Sequence, residues 1–147
     1  MSVINESLIE YIVVHCSATK GDRDYSAEDI NRWHTQRGWT EIGYHFVIRR
    51  NGKIEIGRDL DSPGAHVKGY NAKSWGICMI GGLDENATPE NNFTYLQFVA
   101  LKLILSTLKL IAFNAKIKGH NEFPGVHKAC PCFSVKDWLA EHFEVEA

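Results

Sequence analysis

Apolar and polar positions recur along this chain with two periods, and the switches between them mark its elements. The first run, "YIVVH" from Tyr11 to His15, is β-branched and predicts a core strand. Strand parity puts Tyr11, Val13 and His15 on one face and Ile12 and Val14 on the other. "SAEDINRWHTQRG" follows helical spacing at Ile30, Trp33, His34 and Arg37. Ser26 caps this helix with Asp29 three residues on, and Gly38 supplies the stop. On this reading His34 lies on the helix surface. "YHFVIRRNGKIEIGR" predicts a hairpin around a two-residue Asn51-Gly52 turn. Tyr44, Phe46 and Ile48 then share one face, and His45 and Val47 the other.

Further along, "SWGICMIGG" is a short apolar strand between glycines, suited to the middle of a sheet. "TYLQFVALKLILSTLKLIAF" predicts a long helix entered through a second capping pair, Thr94 and Gln97. Lys102, Ser106 and Lys109 fall at i, i+4 and i+7, which predicts one polar stripe on a helix otherwise buried. The run is too short, and too interrupted by those residues, for a membrane span. "AKIKGH" reads as a short strand ending at His120, and Ser134 caps a last helix over "VKDWLAEHF". Strands and helices interleave, so the fold class is α/β, with a central mixed β-sheet flanked by helices in a single domain spanning 1–147.

Composition narrows the picture. At 147 residues the chain suits one core, and 44% hydrophobic with 23% charged residues removes any case for disorder. The formal net charge is −2 and the pI about 6.4, so the basic excess of a nucleic-acid binder is missing and no nucleic-acid partner is expected. "MSVINESLIEYIVVHC" lacks the basic start, long apolar run and small-residue cleavage site of a secretory signal, so synthesis in the cytoplasm is expected. Disulfides are then not the default for the four cysteines. Cys16 and Cys78 lie inside apolar runs and read as buried small hydrophobes. Cys130 and Cys132 remain as the pair open to chemistry.

That pair ends the densest chemical stretch of the chain, "HNEFPGVHKACPCF" over residues 120–133. Zinc takes His nitrogen and Cys thiolate, and a catalytic site uses three protein ligands where a structural one uses four. A closed clasp of His120, His127, Cys130 and Cys132 is one arrangement, but a single residue between the thiols is shorter than the usual spacing. An open site takes His120 and Cys130 locally and a third ligand from elsewhere. His15 suits that part, because it and His120 both end short apolar strands, where ligands of such sheets collect. Spacing alone does not choose between these, nor does it exclude a cysteine hydrolase with Cys130 or Cys132 as nucleophile and His127 or His120 as base.

Five blocks, "VVHCSAT", "GWTEIGYHFVIRRNGKIEIGR", "HVKGYNAKSWGICMIGG", "GHNE" and "HKACPCF", together resemble the short zinc-dependent N-acetylmuramoyl-L-alanine amidases. The likeness is to the endolysin type made by T-odd phages, with peptidoglycan recognition proteins as more distant relatives, and it runs from about residue 11 to about residue 139. The resemblance implies a mixed sheet flanked by helices, one Zn2+ per chain and peptidoglycan as substrate. It implies His15, His120 and Cys130 as zinc ligands, and Tyr44 and Lys128 as catalytic residues beside them. His66, in "GAHVKGYN", falls in a block that lines the substrate groove. Asn71 and Ser74 read as turn residues, and His45 and His127 as structural and loop residues.

The implied reaction is hydrolysis of the amide between the lactyl group of N-acetylmuramic acid and L-alanine. The chain departs from the pattern twice. Cys132 stands where relatives carry a small residue, which offers the metal a second sulfur. "FPGV" lengthens the loop that leads to Lys128. The other readings are a non-catalytic peptidoglycan-binding module on the same fold and the cysteine hydrolase. Without a signal or a separate wall-binding domain, a phage or prophage endolysin is expected, monomeric, made in the host cytoplasm and dependent on a holin to reach the wall.

Overall fold

The computed structural model describes residues 8–143, so the first seven residues, on which the reading of the N-terminus partly rests, lie outside the described residues. A five-stranded sheet forms the middle of the molecule. In chain order its strands are β1 (Tyr11–Cys16), β3 (Phe46–Ile48), β4 (Ile54–Ile56), β5 (Ser74–Met79) and β7 (Lys116–Gly119). Across the sheet the order is β4-β3-β5-β1-β7. Only β4 runs antiparallel to its neighbour, through the hairpin; every other pairing is parallel. A separate two-stranded ladder joins β2 (Thr19–Lys20) to β6 (Gly82–Leu83). The sequence pattern gave no sign of it, because two-residue strands are too short to show a period.

Strand parity does what it predicts. Ile12, Val14 and Cys16 face one large core with Trp75, Ile77 and Met79, covered by α2 (Tyr95–Ile111) and, at its edge, Val135 of α3 (Val135–His142). Val13 and His15 face the other side, where α1 (Ala27–Gln36) packs Ile30 against Val47, Cys78 and Ile80. β5 is buried at every position, as a strand covered on both faces must be.

The caps form as the sequence suggests. Ser26 and Asp29, and likewise Thr94 and Gln97, make reciprocal capping boxes, and Ser134 accepts from the Asp137 amide. Gln97 goes further than capping. It is fully buried, and its amide nitrogen donates to the carbonyls of Ile48 and Ile80, which pins the start of α2 to the ends of β3 and β5.

Three local expectations are corrected. The hairpin turn has three residues, not two: Gly52 N donates to Arg49 O, and Arg49 N to Lys53 O. Gly52 alone takes positive φ, at 86°, whereas a two-residue turn of the expected kind needs Asn51 there as well. The β3 alternation does not extend back to Tyr44. The chain bends at His45, and Tyr44 packs with Val47 and Cys78 rather than with Phe46 and Ile48. Finally, α2 is not buried outside its polar stripe. Ala100, Leu101, Ile104, Leu105 and Leu108 face the sheet, while Leu96, Leu103 and Leu110 share the exposed side with Lys102 and Ser106. The helix has one sheet to lie on, so only one of its faces finds apolar partners.

Candidate metal centre

Parallel pairing of β1 with β7 builds the centre. The register sets Val14 against Gly119, so His15 on β1 and His120, the residue after β7, emerge side by side. Their rings lie 4.5 Å apart. His120 opens a single 3-10 turn, and Glu122 closes it by accepting from the Gly119 amide. The chain then loops out and returns. Asn121 N donates to Cys130 O, and Cys16 N donates to Cys130 Sγ at 3.2 Å, which anchors the thiol over the end of β1. The ligand atoms of His15, His120 and Cys130 all lie within 4.8 Å of one another. Among the described residues this is the one such trio of His, Cys, Asp or Glu.

The trio fits zinc. With zinc–nitrogen bonds of about 2.05 Å and a zinc–sulfur bond of about 2.3 Å, tetrahedral geometry puts N and S about 3.6 Å apart. His15 Nδ1 and Cys130 Sγ are 3.9 Å apart. Two imidazoles and one thiolate are borderline-soft donors that suit this ion, and three protein ligands leave a fourth position open. The second thiol is not in the trio. Cys132 Sγ lies 3.7 Å from Cys16 Sγ, on the side of the large core. Nor does the four-ligand clasp form: His127 sits exposed in the loop outside the trio.

Electrostatics favour the metal-binding forms of the histidines. Burial first, then the neighbouring rings of His66 and His120, hold His15 well below the usual histidine range. Burial and the Lys128 charge lower His120 in the same way. Both imidazoles are therefore neutral near pH 7 and have lone pairs to give. Tyr44 stands beside them, its ring 5.1 Å from that of His15. Loss of hydration, with the thiols of Cys78, Cys130 and Cys16 around it, pushes the phenol well above its ordinary value, so it keeps its proton. Lys128 is exposed at the rim, on the wall of a cleft it shares with His15, Tyr44, His120 and Cys130. The "FPGV" loop does not carry it away from the site.

His66 lies closer to the centre than a groove residue must. Its Nδ1 is 2.9 Å from His15 Nε2. Asn71 accepts from the amides of His66 and Val67 and so shapes the turn that presents the ring, as read from the sequence. His66 also lines a groove of about 610 Å³ that runs past Trp39, Lys68, His120 and Lys128. That groove and the cleft over the trio share Trp39, Ala65, His66, His120 and Lys128 as walls.

Two histidines away from the trio support it. His45 is buried, accepts from Gly76 N and donates to Ser62 O, a structural role as expected. His34 is not on the helix surface. It is buried, its Nδ1 accepts from Gly43 N at 2.9 Å, and its ring packs on Trp39. It thereby fixes the residue that precedes Tyr44. The signal was present in the sequence: Ile30 and His34 are i and i+4 on one helix face.

The known proteins that this chain resembles point the same way. Residues 5–133 match the N-acetylmuramoyl-L-alanine amidase family. The chain belongs to that family. The endolysin of Klebsiella phage KP32 is 47% identical over 127 residues, covering 86% of this chain and 83% of that protein. The endolysin of Escherichia phage T7 is 42% identical over 127 residues, with the same shares covered. Among solved structures, the N-acetylmuramoyl-L-alanine amidase LysC from Clostridium intestinale superposes with a TM-score of 0.78 at 27% identity, covering 96% of this chain and 89% of that one. The mixed α/β fold is thus the amidase fold, with His15 and His120 where β1 and the edge strand β7 end and Cys130 on the loop that returns over them.

Proposed function

We propose that this amidase is a zinc-dependent endolysin that cleaves the amide between the lactyl group of N-acetylmuramic acid and L-alanine. His15, His120 and Cys130 are its ligands, and Tyr44 and Lys128 act on the reacting group. The observation that carries the reading is the convergence of three ligand atoms from positions 15, 120 and 130 to within 4.8 Å of one another.

Zinc held there supplies a water with a pKa of about 7 and polarises the amide carbonyl. The remaining tasks fall to the chain. The groove along Trp39 and Lys68 holds the glycopeptide so that the scissile amide lies over the cleft. The protonated Tyr44 phenol donates to the carbonyl oxygen, a role that requires the proton its surroundings preserve. The Lys128 ammonium offsets the negative charge that grows on that oxygen as the carbon becomes tetrahedral. The attacking water supplies the proton that the leaving nitrogen takes up, and the exposed rim at Lys128 gives the amine product a way out to solvent.

We also infer that the enzyme works as a monomer, is made in the host cytoplasm and relies on a holin to reach the wall. Its membership in a family with phage endolysins supports this. Induced cells with and without a holin gene, compared for lysis at equal enzyme level, test that dependence.

The decisive experiment pairs metal analysis with digestion of purified peptidoglycan. The expected result is one zinc per chain, new amino groups on alanine, loss of activity with a chelator and its return with zinc. New reducing sugars would identify a glycosidase instead. Activity that survives the chelator but dies on alkylation would identify a cysteine hydrolase, and binding without new ends a recognition module.

A further inference from the structure

The chain of hydrogen bonds behind His15 can run in only one direction. It begins at the Tyr70 carbonyl, which can only accept. Ser74 Oγ donates its single proton there, at 2.8 Å. Toward His66 Nε2, 3.3 Å away, the same oxygen is then left to accept, so Nε2 carries the proton. A neutral His66 therefore has a bare Nδ1. That atom accepts from His15 Nε2 at 2.9 Å. His15 in turn has its proton on Nε2 and a free lone pair on Nδ1, the atom that faces Cys130 Sγ.

The ring that carries this chain lies close against two stretches of backbone. A Cβ added at Gly76 would lie 2.6 Å from the His66 ring, and one added at Gly64 also 2.6 Å from it. Neither glycine has positive φ, so both serve to make room for the ring. His66 is clamped between two stretches of backbone, and its main-chain amide is tied to Asn71.

We propose that His66 is a positioning residue: it holds His15 in the tautomer and orientation that present Nδ1 to the metal, with Ser74 and the Tyr70 carbonyl setting the polarity of the relay. The inference rests on the metal-centre reading above and goes beyond it by assigning His66 to the ligand rather than to the substrate. Outer partners of a metal-bound histidine typically change metal affinity by about 10- to 100-fold when removed.

The test uses three variants of the full chain: His66→Ala, His66→Asn, whose Oδ1 keeps an acceptor near the Nδ1 position, and Ser74→Ala. Zinc affinity is read by competition with a chromophoric chelator. The His15 tautomer is read from nitrogen-15 shifts and couplings in the metal-free wild type, and urea midpoints monitor folding. The proposal expects the His15 proton on Nε2, zinc affinity at least tenfold weaker in His66→Ala, substantial recovery in His66→Asn, and a smaller loss in Ser74→Ala.

A His15 proton on Nδ1 overturns it, as does a folded His66→Ala that holds zinc as tightly as the wild type. If His66→Ala does not fold, the wild-type tautomer and the ratio of His66→Asn to Ser74→Ala decide. A relay gives the former the tighter binding or an equal one, and the reverse order overturns the proposal. A wild type that takes up no zinc at all sinks the metal-centre reading and this inference together, whereas zinc binding indifferent to His66 sinks the inference alone.

Discussion

At the residue scale, the two thiols of "CPC" divide their labour by position. Cys130 receives the Cys16 amide and joins the imidazoles, while Cys132 turns toward Cys16 Sγ and the large core. Cys130→Ala is expected to abolish zinc binding and activity, and Cys132→Ala to keep most of both. Equal loss, measured as zinc per chain and as turnover on peptidoglycan, would contradict this assignment. Burial first, then Cys16, pushes the Cys132 thiol up to about 12, so it stays protonated at neutral pH and is a poor nucleophile. Lys128→Ala is expected to leave zinc bound and lower turnover, since the lysine touches the rim of the cleft and not the trio; unchanged turnover would remove it from the mechanism. The members of the trio were legible in the sequence only as candidates. His15 and His120 could be placed at strand ends, but spacing could not pair strands 100 residues apart, and the resemblance to a family had to choose the set. His66 was harder still, because nothing in "GAHVKGYN" tells which ring its Nδ1 meets.

At the element scale, legibility followed the strength of the local signal. Capping boxes at Ser26 and Thr94 formed as read, because the two partners sit three residues apart and need no tertiary context. The course of the chain at Tyr44 was not legible, because a bend at His45 depends on bonds to Gly76 and Ser62 that lie far away in sequence. For α2 the apolar count misled: twelve of its 17 residues are apolar by type, yet only the sheet side is covered. The two sides should therefore respond differently to substitution. Leu105→Ala, at a fully buried site, is expected to cost about 2–5 kcal/mol of unfolding free energy. Leu103→Lys, on the exposed side, should stay within about 0.5 kcal/mol of wild type. Urea unfolding of both variants measures the contrast, and a large loss in Leu103→Lys would show that this side is covered after all.

At the scale of the whole molecule, the histidines make stability depend on pH. Burial lowers His15, His34, His45, His66 and His120 from an ordinary value of 6.5, to about 4 for His34 and about 3 for His66. Below 6.5 the unfolded chain takes protons that the folded one refuses. Stability is thus full above 6.5 and is lost as pH falls toward the folded values, by up to about 1.4 kcal/mol per pH unit for each such group. The urea midpoint of the metal-free protein is expected to drop between pH 7 and pH 5; a flat profile over that window would mean that these rings are solvated. The fold class was legible from alternating strand and helix patterns, whereas the strand order β4-β3-β5-β1-β7 was not, since it rests on long-range pairing.

One feature of that order reaches back to how the protein is made. The strand that supplies His15 is translated well before its partner β7 and the cysteine beyond it. A polypeptide interrupted anywhere before residue 130 lacks a member of the trio, however well its earlier parts have folded. On the proposed function, unfinished copies would have no wall-cutting activity.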